Sequence, residues 1–357
     1  MKIKTLFIFC IIPFLTMCSK KNGLEENEGC GSGLKTYYDD ITFTTQKELD
    51  DFDKLGYTSI IGGINIIEDP SKGDPIMSLN GLLDCVTYIE GGIIIRNNSS
   101  LESLNGFLIN LTSVNHFFLD GNENLTSLGG FDSLISIEYN VTIRNNRSLI
   151  NFEGFCENVD ALSTLSVINN HSLINLEGLQ NVNSIGTLNV IDNQGLLNLN
   201  GLDALTNIIS RITISNNSSL LNIDGLLSNL NNTLREVSID NNSSLKNIRG
   251  LTNISTLESL LIFNNDDLLN LEGLENLNYL NQFTRSGISV SENDSLENID
   301  ALSNLIFVNY LDFHNNLNLS DFCGIKNLID TNSYVDISIL GNLYNPSVSN
   351  ISNGQCN

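Results

Sequence analysis

From Ile93 onward the chain alternates apolar and polar residues in short bursts, and each burst ends on an asparagine. Ile212, Thr213, Ile214, Ser215, Asn216, Asn217, Ser218, Ser219, Leu220 is representative. The second asparagine recurs as Asn98, Asn122, Asn146, Asn170, Asn193, Asn217, Asn242, Asn265, Asn293, Asn316 and Asn342, at spacings of 23 to 28 residues. Three residues before each stands Ile95, Leu119, Ile143, Val167, Val190, Ile214, Ile239, Ile262, Val290, Phe313 or Ile339, usually with another apolar residue two earlier. Alternation with a period of two predicts a strand with one buried face. So regular a spacing predicts one unit stacked many times.

The order behind the asparagine is equally constant. Leu220, Ile223, Gly225 and Leu226 follow Asn217, as Leu101, Leu104, Gly106 and Phe107 follow Asn98. Each unit therefore predicts one coil that buries its leucines only against neighbouring coils, so no copy folds alone. A buried asparagine amide at a coil corner satisfies backbone groups that a turn leaves unpaired, at about 1 to 3 kcal/mol for each group otherwise orphaned. The glycine of the second half suits a corner needing positive φ or close backbone approach, and Ala301 alone replaces it.

An array must close its ends. Thr45 with Glu48 forms a capping box before Leu49, Phe52 and Leu55 at helical spacing, which predicts a short helix as N-terminal lid. Ile64 and Ile66 then open the first strand with Asp69 at the ladder position, and 70–75 reads as a surface loop. At the far end Cys323 and Cys356 bracket the final coil, and a disulfide between them fastens the tail over the open end. Cys85 occupies a leucine-like inward position, predicting a core thiol. It is three coils from Cys156, beyond bonding reach, and Cys30 completes an odd set in which at least one is free or pairs between molecules.

Lys2 and Lys4 precede an apolar run from Leu6 to Leu15, too short to span a bilayer and suited to a secretory leader. Leu15, Thr16, Met17, Cys18 resembles a bacterial lipoprotein signal, with Met17 where that family has a small residue. The resemblance implies lipidation of Cys18 and export to the outer membrane or cell surface, held by acyl chains alone. The polar stretch from Ser19 to Gly33 is too poor in apolar residues to order itself. The expected layout is a leader over 1–17, a flexible tether over 18–33, a cap over 34–60, the solenoid over 61–322, and the last coil with its cap over 323–357.

The LxxLxLxxN pattern, asparagine ladder and cysteine-closed tail resemble the receptor L-domain type of leucine-rich repeat, over roughly 60–357. The resemblance implies a mainly β protein, a right-handed parallel β-solenoid of about eleven coils, with strands on more than one side of each coil and little helix. At about 4.8 Å per coil that makes a rod on the order of 50 Å long. The chain departs from those receptors in lacking their cysteine-rich modules.

Little in the sequence points to catalysis. His116, His171 and His314 fall in different coils, and no nucleophile elbow, zinc motif, phosphate-binding loop or close cysteine pair is present. The paired acids, such as Asp266 with Asp267, read as solvated turns, so no enzyme, cofactor or metal is expected. A net charge of −24 disfavours nucleic acid and anionic membrane surfaces as partners. The asparagine-serine triplets follow from the ladder itself, and a bacterial leader argues against reading them as glycosylation sites.

The outward strand rows vary freely and carry more apolar residues than a polar face requires. Candidate contacts are Phe118 beside Ile94, Arg144, Ile168 with Ile191, and Leu261 with Phe263. Tyr279, Phe283 and Arg285 join them where extra residues precede Asn293. Packing under a neighbouring arm is the competing explanation. The expected function is a lipid-anchored, non-enzymatic surface protein recognising a protein or glycan. A coat or spacer without a ligand is the alternative, and ice binding fits worse because no rank of matching threonines exists.

Overall fold

The computed structural model describes residues 30, 33–155, 157–226, 234–280 and 287–357. The leader, Cys18, most of the tether, Cys156, Phe283 and Arg285 lie outside the described residues.

The alternating bursts form strands stacked in parallel: β1 (Ile41–Phe43), β2 (Ile64–Ile67), β3 (Gly92–Arg96), β4 (His116–Asp120), β5 (Ser136–Arg144), β6 (Ala161–Ile168), β7 (Ser184–Ile191), β8 (Asn207–Ser215), β9 (Glu236–Asp240), β10 (Ser259–Phe263), β11 (Gly287–Ser291), β12 (Val308–His314) and β13 (Tyr334–Leu340). They make a parallel β-solenoid of about twelve turns. The register is that of the repeat: Ile95 pairs with Leu119, Val167 with Val190, and Ile214 with Ile239. The stack is longer than the asparagines indicate because β1, inside the segment read as a cap, pairs with β2 as a full rung.

A second strand row lies just ahead of the first in each coil. Thr36–Tyr37, Ser59–Ile60, Tyr88–Ile89 and Ser113–Val114 belong to it, and the early parts of β5 to β8 continue it. Two of its members, Thr256–Leu257 and Tyr279–Leu280, pair as a separate ladder. The inward side chains Ile95, Leu119, Ile143, Val167 and Ile214 are fully buried, as are Leu101, Leu125, Leu149 and Leu220 on the returning arms.

Both asparagines of the repeated pair have a job. The residue at the first position adopts the left-handed conformation in every coil, as at Asn97 (φ 55°), Asn145 (φ 58°) and Asn216 (φ 58°), with glycine instead at Gly121 and Gly341 and an acidic residue at Asp192 and Glu292. Asparagine and glycine tolerate that corner best. The second asparagine is buried with every polar atom used. Asn217 Oδ1 accepts the backbone N–H of Asn193 (3.0 Å), and its Nδ2 donates to the carbonyls of Val190 (2.9 Å) and Ser215 (3.0 Å) and to Asn242 Oδ1 (3.2 Å). The chain of bonds begins at Glu68, whose N–H donates to Asn98 Oδ1 (2.9 Å), and ends at Asn345, whose Oδ1 accepts the Asn342 N–H (3.0 Å).

Asp69 does not extend this ladder. It caps the 3-10 turn Pro70–Lys72 by accepting the Ser71 N–H (3.0 Å). A second, exposed row of asparagines adds to the stacking: Asn110, Asn158, Asn181, Asn276 and Asn304 each donate to a carbonyl of the coil before. At the glycine position both causes act: Gly178 has φ 112°, and a Cβ on it would stand 2.0 Å from the Phe152 carbonyl oxygen, while Gly225 needs glycine through close approach alone, 2.1 Å from the Leu199 carbonyl oxygen.

At the N-terminal end α1 (Gln46–Asp53) carries Thr45 as its N-cap and buries Leu49 and Phe52. Leu55 falls beyond the helix and is half-exposed. At the other end α2 (Lys326–Asp330) packs against α3 (Val348–Ser352), and Cys323–Cys356 joins them with Cα atoms 5.0 Å apart. The expectation for Cys85 is corrected: it is bonded to Cys30, with Cα atoms 5.4 Å apart across 55 residues. Cys85 is half-buried rather than inward, the core positions beside it being Leu83 and Val86, and its bond to Cys30 pins the end of the tether to an early coil. Among the described residues no helix is long and apolar enough to cross a membrane.

Candidate functional site

The outward side chains of the first sheet row form one continuous face, and its two halves differ in chemistry. Towards the C-terminus polar side chains bond one another across coils. Asn189 Nδ2 donates to Ser166 Oγ (3.1 Å), Ser215 and Ser238 both donate to Asp240, and Ser289 Oγ donates to Asp312 Oδ2 (3.1 Å). His314 Nε2 lies 2.7 Å from Ser338 Oγ and 2.9 Å from Asp312 Oδ1. The second contact is close enough for an ion pair but too poorly aligned for a hydrogen bond. A serine-histidine-carboxylate relay needs its partners on opposite ring nitrogens, whereas here both face the same one.

Towards the N-terminus the face sinks into a depression of about 520 Å³ across β2 to β5. Its low side follows from glycine. Gly63, Gly91 and Gly92 stand where later coils carry side chains, and a Cβ on Gly63 would lie 3.1 Å from the Gly92 carbonyl oxygen. Phe117 lies beneath it, within an aromatic core cluster 4.9 Å from Phe155 and 5.3 Å from Phe131. Ile94 and Phe118, paired in register, supply the apolar wall. Asn65, Asn140, Thr142 and His116 complete the lining, with His116 stacked on Tyr139 at 5.0 Å. The side-chain polar atoms of Asn65, Asn140 and Thr142 bond no other described residue.

Three charged residues cross this part of the face in register, Arg96 on β3, Asp120 on β4 and Arg144 on β5. Arg144 reaches back to Asp120 Oδ2 (2.9 Å) and lies 4.9 Å from the centre of the Phe118 ring. Partial burial pushes the Asp120 carboxyl up, but bonds from Arg144 and Asn145 and the nearby charge of Arg96 outweigh it and hold the group below the usual carboxylate range. One carboxylate thus serves two guanidinium groups. Arg96 is exposed and has no salt-bridge partner among the described residues.

The residues singled out from sequence do not make one patch. Phe118 and Arg144 meet at the depression. Ile168 and Ile191 pair in register further along, and Leu261 and Phe263 lie on β10 beyond them. Each of these apolar side chains is half-buried among its strand neighbours. Tyr279 belongs to the second row, where it is stacked on Phe307 at 5.7 Å, so it is not part of this face. In the sequence Gly63, Gly92, Asn65 and Asn140 did not stand out, and His116 stood out only as an isolated histidine in its coil. The consecutive glycine pairs Gly62–Gly63 and Gly91–Gly92, one coil apart, were the available signal.

No family model matches the chain, and no similar protein is found among the curated ones. Its class, a long parallel β-solenoid with a buried asparagine ladder, is defined by the fold. Among the described residues no group of three or more His, Cys, Asp or Glu side chains could hold a metal ion.

Proposed function

We propose that this is a non-enzymatic recognition protein of the cell surface, held by a lipid on Cys18, whose outward strand face binds a protein or glycan partner. The observation that supports this reading is the depression over β2 to β5. It combines an apolar wall, amide and hydroxyl groups without internal partners, and a guanidinium, Arg96, without a salt bridge among the described residues. Recognition sites of this kind are concave and mostly apolar, with a few polar groups that set orientation. The leucine-rich register and the leader are consistent with an exported binding module.

A coat or spacer role is the second reading, and the self-bonded C-terminal half of the face favours it. Capture separates the two. Residues 30–357, which retain Cys30 for its disulfide, would be immobilised and challenged with surface extract and glycans, then washed with high salt. A partner held by the parent and lost on Phe118→Ala or Arg144→Glu is the expected result. Nothing retained by folded protein would support the spacer.

A further inference from the structure

We infer that the depression takes an acidic sugar, with Arg96 receiving its carboxylate. This rests on the recognition reading above and names the ligand class for the same site.

Charge narrows the choice first. The chain carries a net charge of −24, yet at this rim Asp120 stands in register between two guanidinium groups, Arg96 and Arg144. Because Arg144 is already bonded to Asp120, Arg96 is the group free to accept a ligand anion. Asp40, the one carboxylate among the lining residues, keeps its charge but lies at the register of Gly63 and Gly92, four residues from Arg96 along the strand, where it accepts the Gly63 N–H at 2.7 Å. A guanidinium offers a planar pair of donors that matches a carboxylate.

Shape and hydrogen bonding narrow it further. The depression lies in mid-sheet, flanked by paired rungs on both sides, so a peptide could not add as a strand there. Ile94 and Phe118 offer an apolar wall, while Asn65, Asn140 and Thr142 present donors and acceptors that no internal bond consumes. A sugar ring has that same pairing of a C–H face with surrounding hydroxyls. The volume, about 520 Å³, is in the range of small-ligand sites.

Calorimetric titration of the full chain with trigalacturonate, its methyl ester and hexaglutamate tests the inference. Trigalacturonate should bind, and the uncharged ester should bind at least about tenfold more weakly. Arg96→Gln should weaken trigalacturonate by roughly the same factor, since the exposed Arg96 carries no structural bond to lose. Leu317→Ala, exposed in a distant coil and off the outward strand row, should leave binding unchanged. Equal affinity of the acid and its ester, indifference to Arg96→Gln, or preference for hexaglutamate each overturns the inference. If trigalacturonate fails to bind while the capture experiment still depends on Phe118, the sugar is wrong and the recognition reading stands. If that capture fails too, both fall.

Discussion

Replacing Asn217 by alanine isolates what the ladder contributes. The residue is fully buried, and its side chain joins three coils. Truncation leaves its own N–H bonded to Asn242 Oδ1, and the Ser215 carbonyl keeps the N–H of Asp192 at 3.0 Å. Two buried groups lose a partner: the Asn193 N–H, which pointed at Asn217 Oδ1, and the Val190 carbonyl, which accepted from Nδ2. An orphaned buried N–H costs about 1 to 3 kcal/mol, while a carbonyl with a second lone pair suffers less. With a small cavity added, the expected loss is about 2 to 4 kcal/mol. Asn217→Asp keeps an acceptor for Asn193 but sets an oxygen against the Val190 carbonyl, so it should also destabilise.

The comparison is Asn345→Ala at the end of the same ladder. Asn345 is exposed, so water can replace it as acceptor for the Asn342 N–H, and the loss should stay below about 1 kcal/mol. Urea unfolding followed by circular dichroism gives both values, and native-state hydrogen exchange reads the Asn193 amide directly. An Asn217→Ala variant no less stable than Asn345→Ala, with Asn193 still protected, would refute the account of the ladder.

Three further outcomes follow from the same geometry. Glu292 holds the left-handed corner at φ 55°, where most coils use asparagine, so Glu292→Asn should raise stability by about 0.5 to 1 kcal/mol in urea unfolding. Cys356→Ser should cost roughly 2 to 4 kcal/mol in a thermal melt, because the bond to Cys323 closes a loop of 33 residues over the end coil; reduction of the parent, which also opens Cys30–Cys85, should cost more. Hydrogen bonds from Lys72 and Thr44 lower the Glu48 carboxyl to about 2. A depressed acid stabilises above its unfolded value, near 4.3, and loses that contribution as pH falls towards its folded value. Glu48 is about 42 % exposed, so screening reduces the effect to about 1 kcal/mol. Glu48→Gln should therefore be less stable than the parent at pH 7, and the difference should shrink below pH 4 and vanish as pH falls through about 2.

The rung register was legible because one residue type marks it: a buried asparagine is needed once per coil, so its spacing is the coil length. The neighbouring left-handed asparagine was equally visible in the repeated Asn-Asn pairs, and only its backbone conformation was missing from the reading. Other features have no one-dimensional trace. Cys30 sits in a polar stretch, and nothing along 55 residues shows that it folds back to Cys85. The Ile41–Phe43 rung lacks an asparagine and so escaped a ladder count. The depression was hidden for the opposite reason from the apolar spots. It is made by the side chains that Gly63 and Gly92 do not have, and counting exposed hydrophobics cannot register an absence.

The division of the outward face follows from how the fold holds its register. Because the corner asparagines align the coils, the outward rows are released from structural duty, and their bonding is free to differ along the rod. Where Ser215, Ser238 and Asp240 bond one another, a ligand must first break those contacts and recovers only the difference between old and new bonds. Where Asn65, Asn140 and Thr142 have only solvent, a ligand bond replaces water alone, and the adjoining Ile94 and Phe118 surface adds apolar burial. For equal contact area, a ligand should therefore bind more strongly over β2 to β5 than over β8 to β12. On the proposed function, the preferred site of this repeated rod would be set by which of the described coils leave their outward groups unpaired.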